Sequence, residues 1–162
     1  MEGPAQVEVK MISNWVEWLT VIILSMSPIS ELRGAIPVGV AMGLDPLAVF
    51  IVAVTFNALV YLPVTFGLRY TYAFFSTRWD WLRRFIEGIR EKRRGVIEKY
   101  GLFGVVVFVA IPLPITGAWT GTLLVWLFDL DFKKGWLAVV AGVLISGTIM
   151  MGLTLAGIQI FG

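Results

Sequence analysis

Cysteine and histidine are both absent from the 162 residues, and charged side chains make up only 15% of them. Without a thiol or an imidazole there can be no disulfide framework, no Cys/His zinc or haem site, and no triad built on a histidine base. Scarce charge beside 58% hydrophobic residues and a mean hydropathy of +0.85 excludes disorder and coiled coil. It also departs from the roughly 25% charge of soluble domains. The composition is that of an integral membrane protein. What charge there is sits unevenly: nine of the thirteen Lys/Arg fall within residues 69–99, against four acids. A basic block beside apolar runs marks a cytoplasmic loop facing anionic lipid, and no nucleic-acid partner is expected.

Residues 1–14 are mixed, with Glu2 and Glu8 where a leader would be basic, so a signal peptide is not expected. Residues 15–27 are apolar except for Glu17 and too few to span a bilayer. A stretch of prolines, glycine and charge follows, then a short apolar run closed by Asp45-Pro46. Residues 47–68 are uncharged. As a helix they would cover about 33 Å, which matches a hydrocarbon core of roughly 30 Å. Across 70–100, Trp81, Phe85, Ile86 and Ile89 recur at helical spacing among arginines, which predicts an amphipathic helix on the membrane surface. The order then repeats: a short apolar run, a break at 112–117, a second short run, a turn at Asp129–Asp131, and an uncharged stretch at 135–162.

Sliding the chain by 84 residues sets Pro28 on Pro112 and Asp45 on Asp129. The expected architecture is therefore a single all-α membrane domain of two repeats, about 15–69 and 101–162, joined by the basic helix of 70–100. Each repeat would be a re-entrant broken-helix hairpin followed by a transmembrane helix. Such a unit crosses the bilayer an odd number of times, so the second copy must be inverted, with the breaks meeting near the midplane. Re-entrance keeps Lys133 and Lys134 on the basic, cytoplasmic side and places both termini outside. Kinked full spans are the alternative; they give four helices and strand those lysines outside.

Both breaks hold candidate binding residues. At the first, Glu31 and Arg33 are charges in apolar surroundings, where such groups face a cavity or a partner. Two residues apart, they would point oppositely on a continuous helix. Pro28 and Pro37 withhold N–H groups from the carbonyls of Leu24 and Arg33, so an unwound stretch at 28–37 would turn both charges to one side. Gly34 lies within that stretch. A simple interfacial tip, with the charges solvated or paired, is the alternative. At the second break Pro112 and Pro114 free further carbonyls. Thr116 is expected to cap a half-helix from Gly117, whose N–H groups suit an anion, with Trp119 and Thr120 a turn on. Asn57 reads as a buried group bonded to a neighbouring helix, and the arginine run as a solvated, lipid-facing surface.

At these two breaks Ser-Pro-Ile-Ser-Glu-Leu-Arg-Gly-Ala-Ile-Pro (27–37) and Pro-Leu-Pro-Ile-Thr-Gly-Ala-Trp-Thr-Gly (112–121) resemble the paired motifs of the small multidrug export protein family. The arrangement is distantly similar to the DedA membrane proteins. Where those carry an arginine motif, residues 112–121 hold no charge. The resemblance implies a small transporter or lipid translocase of the prokaryotic cell membrane. It would be coupled to a proton or another ion and would move an amphipathic molecule or lipid-linked anion. No cofactor, metal or catalysis is expected, membrane lipids are the expected surroundings, and a homodimer is expected from the glycine-spaced faces. A non-transporting scaffold for lipids or membrane proteins is the rival reading. An intramembrane enzyme is weak, because Glu31 has no partner acid or nucleophile.

Overall fold

A computed structural model describes residues 4–113 and 116–161, apart from the side chains of 4–14, 82, 93, 94, 96–99, 160 and 161. The described residues form seven helices and no strand. In chain order they are α1 (Pro4–Met26), α2 (Glu31–Ala41), α3 (Pro46–Leu59), α4 (Tyr61–Ser76), α5 (Asp80–Ala110), α6 (Ala118–Leu127) and α7 (Phe132–Phe161). Two helical stretches are long and apolar enough to cross a membrane, Pro46–Ser76 and Phe132–Gln159. Only 39% and 33% of their most apolar windows are buried, whereas the core helix of a soluble protein would be mostly covered. Leu47, Ile51, Phe66, Leu137 and Leu153 accordingly lie bare on the surface. Lipid is the solvent that tolerates such faces.

α3 and α4 meet at Val60, which keeps helical angles (φ −56°, ψ −28°). Pro63 explains the interruption, since it has no N–H for the Leu59 carbonyl one turn back. α4 runs on to Ser76, beyond the uncharged stretch, and ends where Arg78 and Trp79 both donate N–H bonds to the Phe75 carbonyl (3.1 and 2.9 Å). The amphipathic helix therefore starts at Asp80, not at 70. It then continues without a break through the apolar residues 101–110, because no proline or turn sequence separates the two. On its described faces Ile86 is buried, while Trp81 and Phe85 remain exposed.

The chain divides into two compact units. The first comprises residues 1–57 and 147–162, the second residues 58–146. The first unit holds the α1–α2 hairpin, α3 and the end of α7. The second holds α4, the α5–α6 hairpin and the start of α7.

Local geometry recurs between the hairpins, with a correction to the sequence alignment. The first arms end at Met26 and Ala110, 84 residues apart. The second arms end 86 apart. Met42, Gly43 and Leu44 donate to the carbonyls of Val38, Val40 and Gly39, and Phe128, Asp129 and Leu130 do the same to Leu124, Trp126 and Val125. Gly43 and Asp129 are the left-handed residues that close these helices (φ 82° and 53°). Asp45 and Asp131 then start the next helices, accepting N–H bonds from Ala48 (2.8 Å) and Lys134 (2.9 Å). The partner of Asp45 is thus Asp131, not Asp129, because the second hairpin tip is three residues longer while α6 is one residue shorter than α2.

In the first unit Asn57, 1% exposed, donates from Nδ2 to the Ser25 carbonyl at 2.7 Å. That carbonyl lies at the end of α1, where the helix offers it no N–H. Replacing Asn57 by Ala would orphan it, and the variant should lose about 1–3 kcal/mol of stability. Thermal unfolding in a mild detergent reads this as a lowered Tm, and an unchanged Tm would refute the role.

Candidate functional site

The first hairpin tip is short. Residues 27–30 turn the chain, with Ser27 donating its N–H to the Leu24 carbonyl (3.2 Å) and Glu31 to the Ser27 carbonyl (3.1 Å). The carbonyl that Pro28 deprives is therefore served by Ser27 instead. No long unwound segment exists: α2 starts at Glu31 and carries Pro37 in its interior. Yet the two charges do meet, with Arg33 donating from Nη2 to Glu31 Oε2 at 3.2 Å. The spacing argument fails because Glu31 does not have regular helical torsions. Its φ is +47°, a left-handed conformation that costs a non-glycine residue about 1–2 kcal/mol and swings its carboxylate round to its neighbour. Glu31 is 5% exposed and the Arg33 side chain 18%, so the pair is sequestered.

Arg33, Pro37 and Ala41 follow one another at four-residue steps, so they share one face of α2. Pro37 and Ala41 line an apolar groove of about 530 Å³, completed by Met150, Leu153, Thr154 and Ile158 of α7. Arg33 thus stands one turn, about 6 Å along the helix, before the first of these lining residues. Gly34 has no room to spare, since a Cβ there would fall 2.0 Å from Ser30 Oγ.

At the second tip Pro114 lies outside the described residues. Thr116 does not cap α6. Its hydroxyl turns back into the loop, near the Ile111 carbonyl and 3.1 Å from that of Leu113, and accepts the Leu113 N–H at 3.0 Å. Gly117 is the residue that precedes α6, with no side-chain cap. Pro112, Trp119 and Thr120 are half-buried and Gly117 is buried. Glu31, Arg33, Gly34 and Pro37 thus belong to the first unit, and the described residues of the second motif to the second. Sequence reading also missed Arg90, taken as part of a solvated run. It donates from Nε and Nη2 to the carbonyls of Leu127 (2.9 Å) and Trp126 (3.1 Å) at the end of α6. Its position on a basic helix gave no sign of this.

The family model described as "Putative small multi-drug export protein" matches residues 31–149. The match begins at Glu31, just after the first tip, takes in the second and covers most of the chain, so the protein belongs to this family and is an integral membrane protein of that class. No curated protein and no solved structure matches it.

Breaking the buried pair from one side should be costlier than removing it whole. Arg33→Gln leaves the Glu31 carboxylate without its guanidinium, a change worth about 3–5 kcal/mol at a fully buried pair. The double variant with Glu31→Gln should recover most of that loss. Melting temperatures of wild type and the three variants test the coupling, and additive losses would show the two side chains to be independent.

Proposed function

We propose that the protein exports small amphipathic molecules across the membrane, with a proton carried at Glu31. The observation behind this reading is the arrangement on α2, where a sequestered Glu31–Arg33 pair lies one turn before the residues that line an apolar groove. A cargo with an anionic head and an apolar body fits it: the head competes with Glu31 for Arg33 while the body lies against Pro37 and Ala41. Losing Arg33 to the cargo leaves the Glu31 carboxylate in apolar surroundings, which favours its protonation. Release of the anion restores the guanidinium, and the proton departs with it. Anion and proton then travel together. A cationic amphiphile would instead displace the proton, giving exchange. The recurring helix ends support two copies of one unit, each a hairpin and a spanning helix. An odd number of crossings per copy favours opposite orientation in the bilayer.

Purified protein in liposomes between pH 5 and 8 tests the chemistry, with a fluorescent phosphate-headed amphiphile and a lipophilic cation as probes. Arg33→Gln should slow the anionic probe first. Arg33→Lys should rescue it only in part, because an ammonium lacks the two-pronged fork. Glu31→Gln should flatten the pH profile. A wild-type profile in Glu31→Gln makes the carboxylate structural, and absence of flux of either probe through the wild type favours a scaffold.

Orientation has its own test. Re-entrant hairpins put Lys133 and Lys134 on the same side as the basic helix α5. Cysteines placed at 84 and 133 in a chain that has none should react with an impermeant thiol reagent from one and the same face. Labelling from opposite faces supports four full spans instead.

A further inference from the structure

We infer that the second unit carries a binding site for a phosphate-bearing anion, separate from the hairpin-tip pair and independent of the transport reading. A cavity of about 180 Å³ lies within this unit, lined among others by Arg69, Arg90, Tyr61, Tyr72, Thr65 and Asp129. That is large against the roughly 30 Å³ one water occupies in the liquid. Two arginines therefore line one small polar space, with Asp129 as the one acid among its lining residues. Arg90 spends two N–H groups on the carbonyls of Trp126 and Leu127, which leaves three donors of its fork. Asp129 approaches Arg90 only to 4.0 Å and keeps 79% of its side chain exposed, so water screens most of its charge. Arg69 lies over the ring of Phe132, 5.5 Å from its centroid, a contact that leaves its N–H groups and its charge available. Asp131, the other nearby acid, is engaged by the Lys134 N–H.

Thr65, 2% exposed, stands on the wall of the same space, with its hydroxyl beside that of Tyr61. Tyr61, one turn before it, gives its own proton to the Phe132 carbonyl at 2.8 Å. A tetrahedral oxyanion would take up the spare guanidinium donors, with the short, charge-assisted bonds that arginine forms to phosphate. Arg69 is also the first charged residue after the uncharged residues 47–68, where a spanning helix reaches the headgroup level. A phospholipid headgroup and a free phosphate share this chemistry.

The full-length protein in a neutral detergent, titrated with inorganic phosphate and separately with dioctanoyl phosphatidic acid, tests the site. Saturable stabilisation of Tm by at least one probe is expected. Phosphatidic acid alone would identify a lipid headgroup as the ligand, and an equal effect of phosphate would identify the free anion. Arg69→Gln should weaken the apparent Kd about tenfold or more. Arg84→Gln removes an equal charge from an exposed position of α5 and should bind as wild type does. Failure of both probes to stabilise the folded wild type overturns the site. So does an Arg84→Gln loss as large as that of Arg69→Gln, which would reduce the effect to general attraction.

Discussion

A helix that stops leaves a last turn of carbonyls with no donor of its own, and an apolar chain has few side chains to supply one. Both hairpins are organised around that constraint. At the end of α1, Ser27 serves the Leu24 carbonyl and Asn57 the Ser25 carbonyl. At the end of α6, where the carbonyl end of the helix dipole accumulates negative charge, Arg90 takes the carbonyls of Trp126 and Leu127. The side chains that look most foreign to an apolar chain are thus the ones that let its helices break. Their cost in desolvation is offset by backbone groups that would otherwise be orphaned.

The same constraint explains why the two hairpins close alike while few of their residues agree. A left-handed residue followed by an aspartate cap ends one helix and starts the next within three positions, once as Gly43 and Asp45 and once as Asp129 and Asp131. Packing beside these turns also has one geometry with its sizes exchanged. A Cβ on Gly39 would fall 2.8 Å from Val49, and 86 residues on a Cβ on Gly135 would fall 2.4 Å from Val125. Glycine and valine have changed places across an equivalent contact. Close approach needs one small partner and one that fills the space, and it is indifferent to which helix supplies which.

Apolar length and prolines made the coarse plan legible. The uncharged stretch at 47–68 and the described part of that at 135–162 lie within the two long helical stretches, and the breaks fall at the two proline-bearing motifs. What escaped sequence reading depended on torsion or on distant contacts. Glu31 and Arg33 oppose each other only if both have helical φ, and one left-handed residue reverses the conclusion. Thr116 has the composition of a cap, yet its hydroxyl finds nearer carbonyls in its own loop. Arg90 looked like one arginine among many, since its partners stand more than thirty residues away. The 84-residue alignment held for the first arms and slipped for the second, because counting residues cannot locate an insertion inside a loop.

Charge in the two units is balanced by different means, and this sets what each can do. Arg33 is countered by a carboxylate two residues away, in a place that excludes most water. That pair is neutral as a whole, and a ligand or a proton that takes one member changes the local charge by a full unit where the dielectric is low. Arg69 and Arg90 are held by a ring face and by carbonyl dipoles. These neutralise nothing, so the guanidiniums keep their charge whatever binds. The first arrangement suits a step that must alternate between two charge states. The second suits a fixed hold on an anion, because no protonation change is available to release it. On the export reading proposed above, the alternating kind belongs to the Glu31–Arg33 pair and the fixed kind to Arg69 and Arg90.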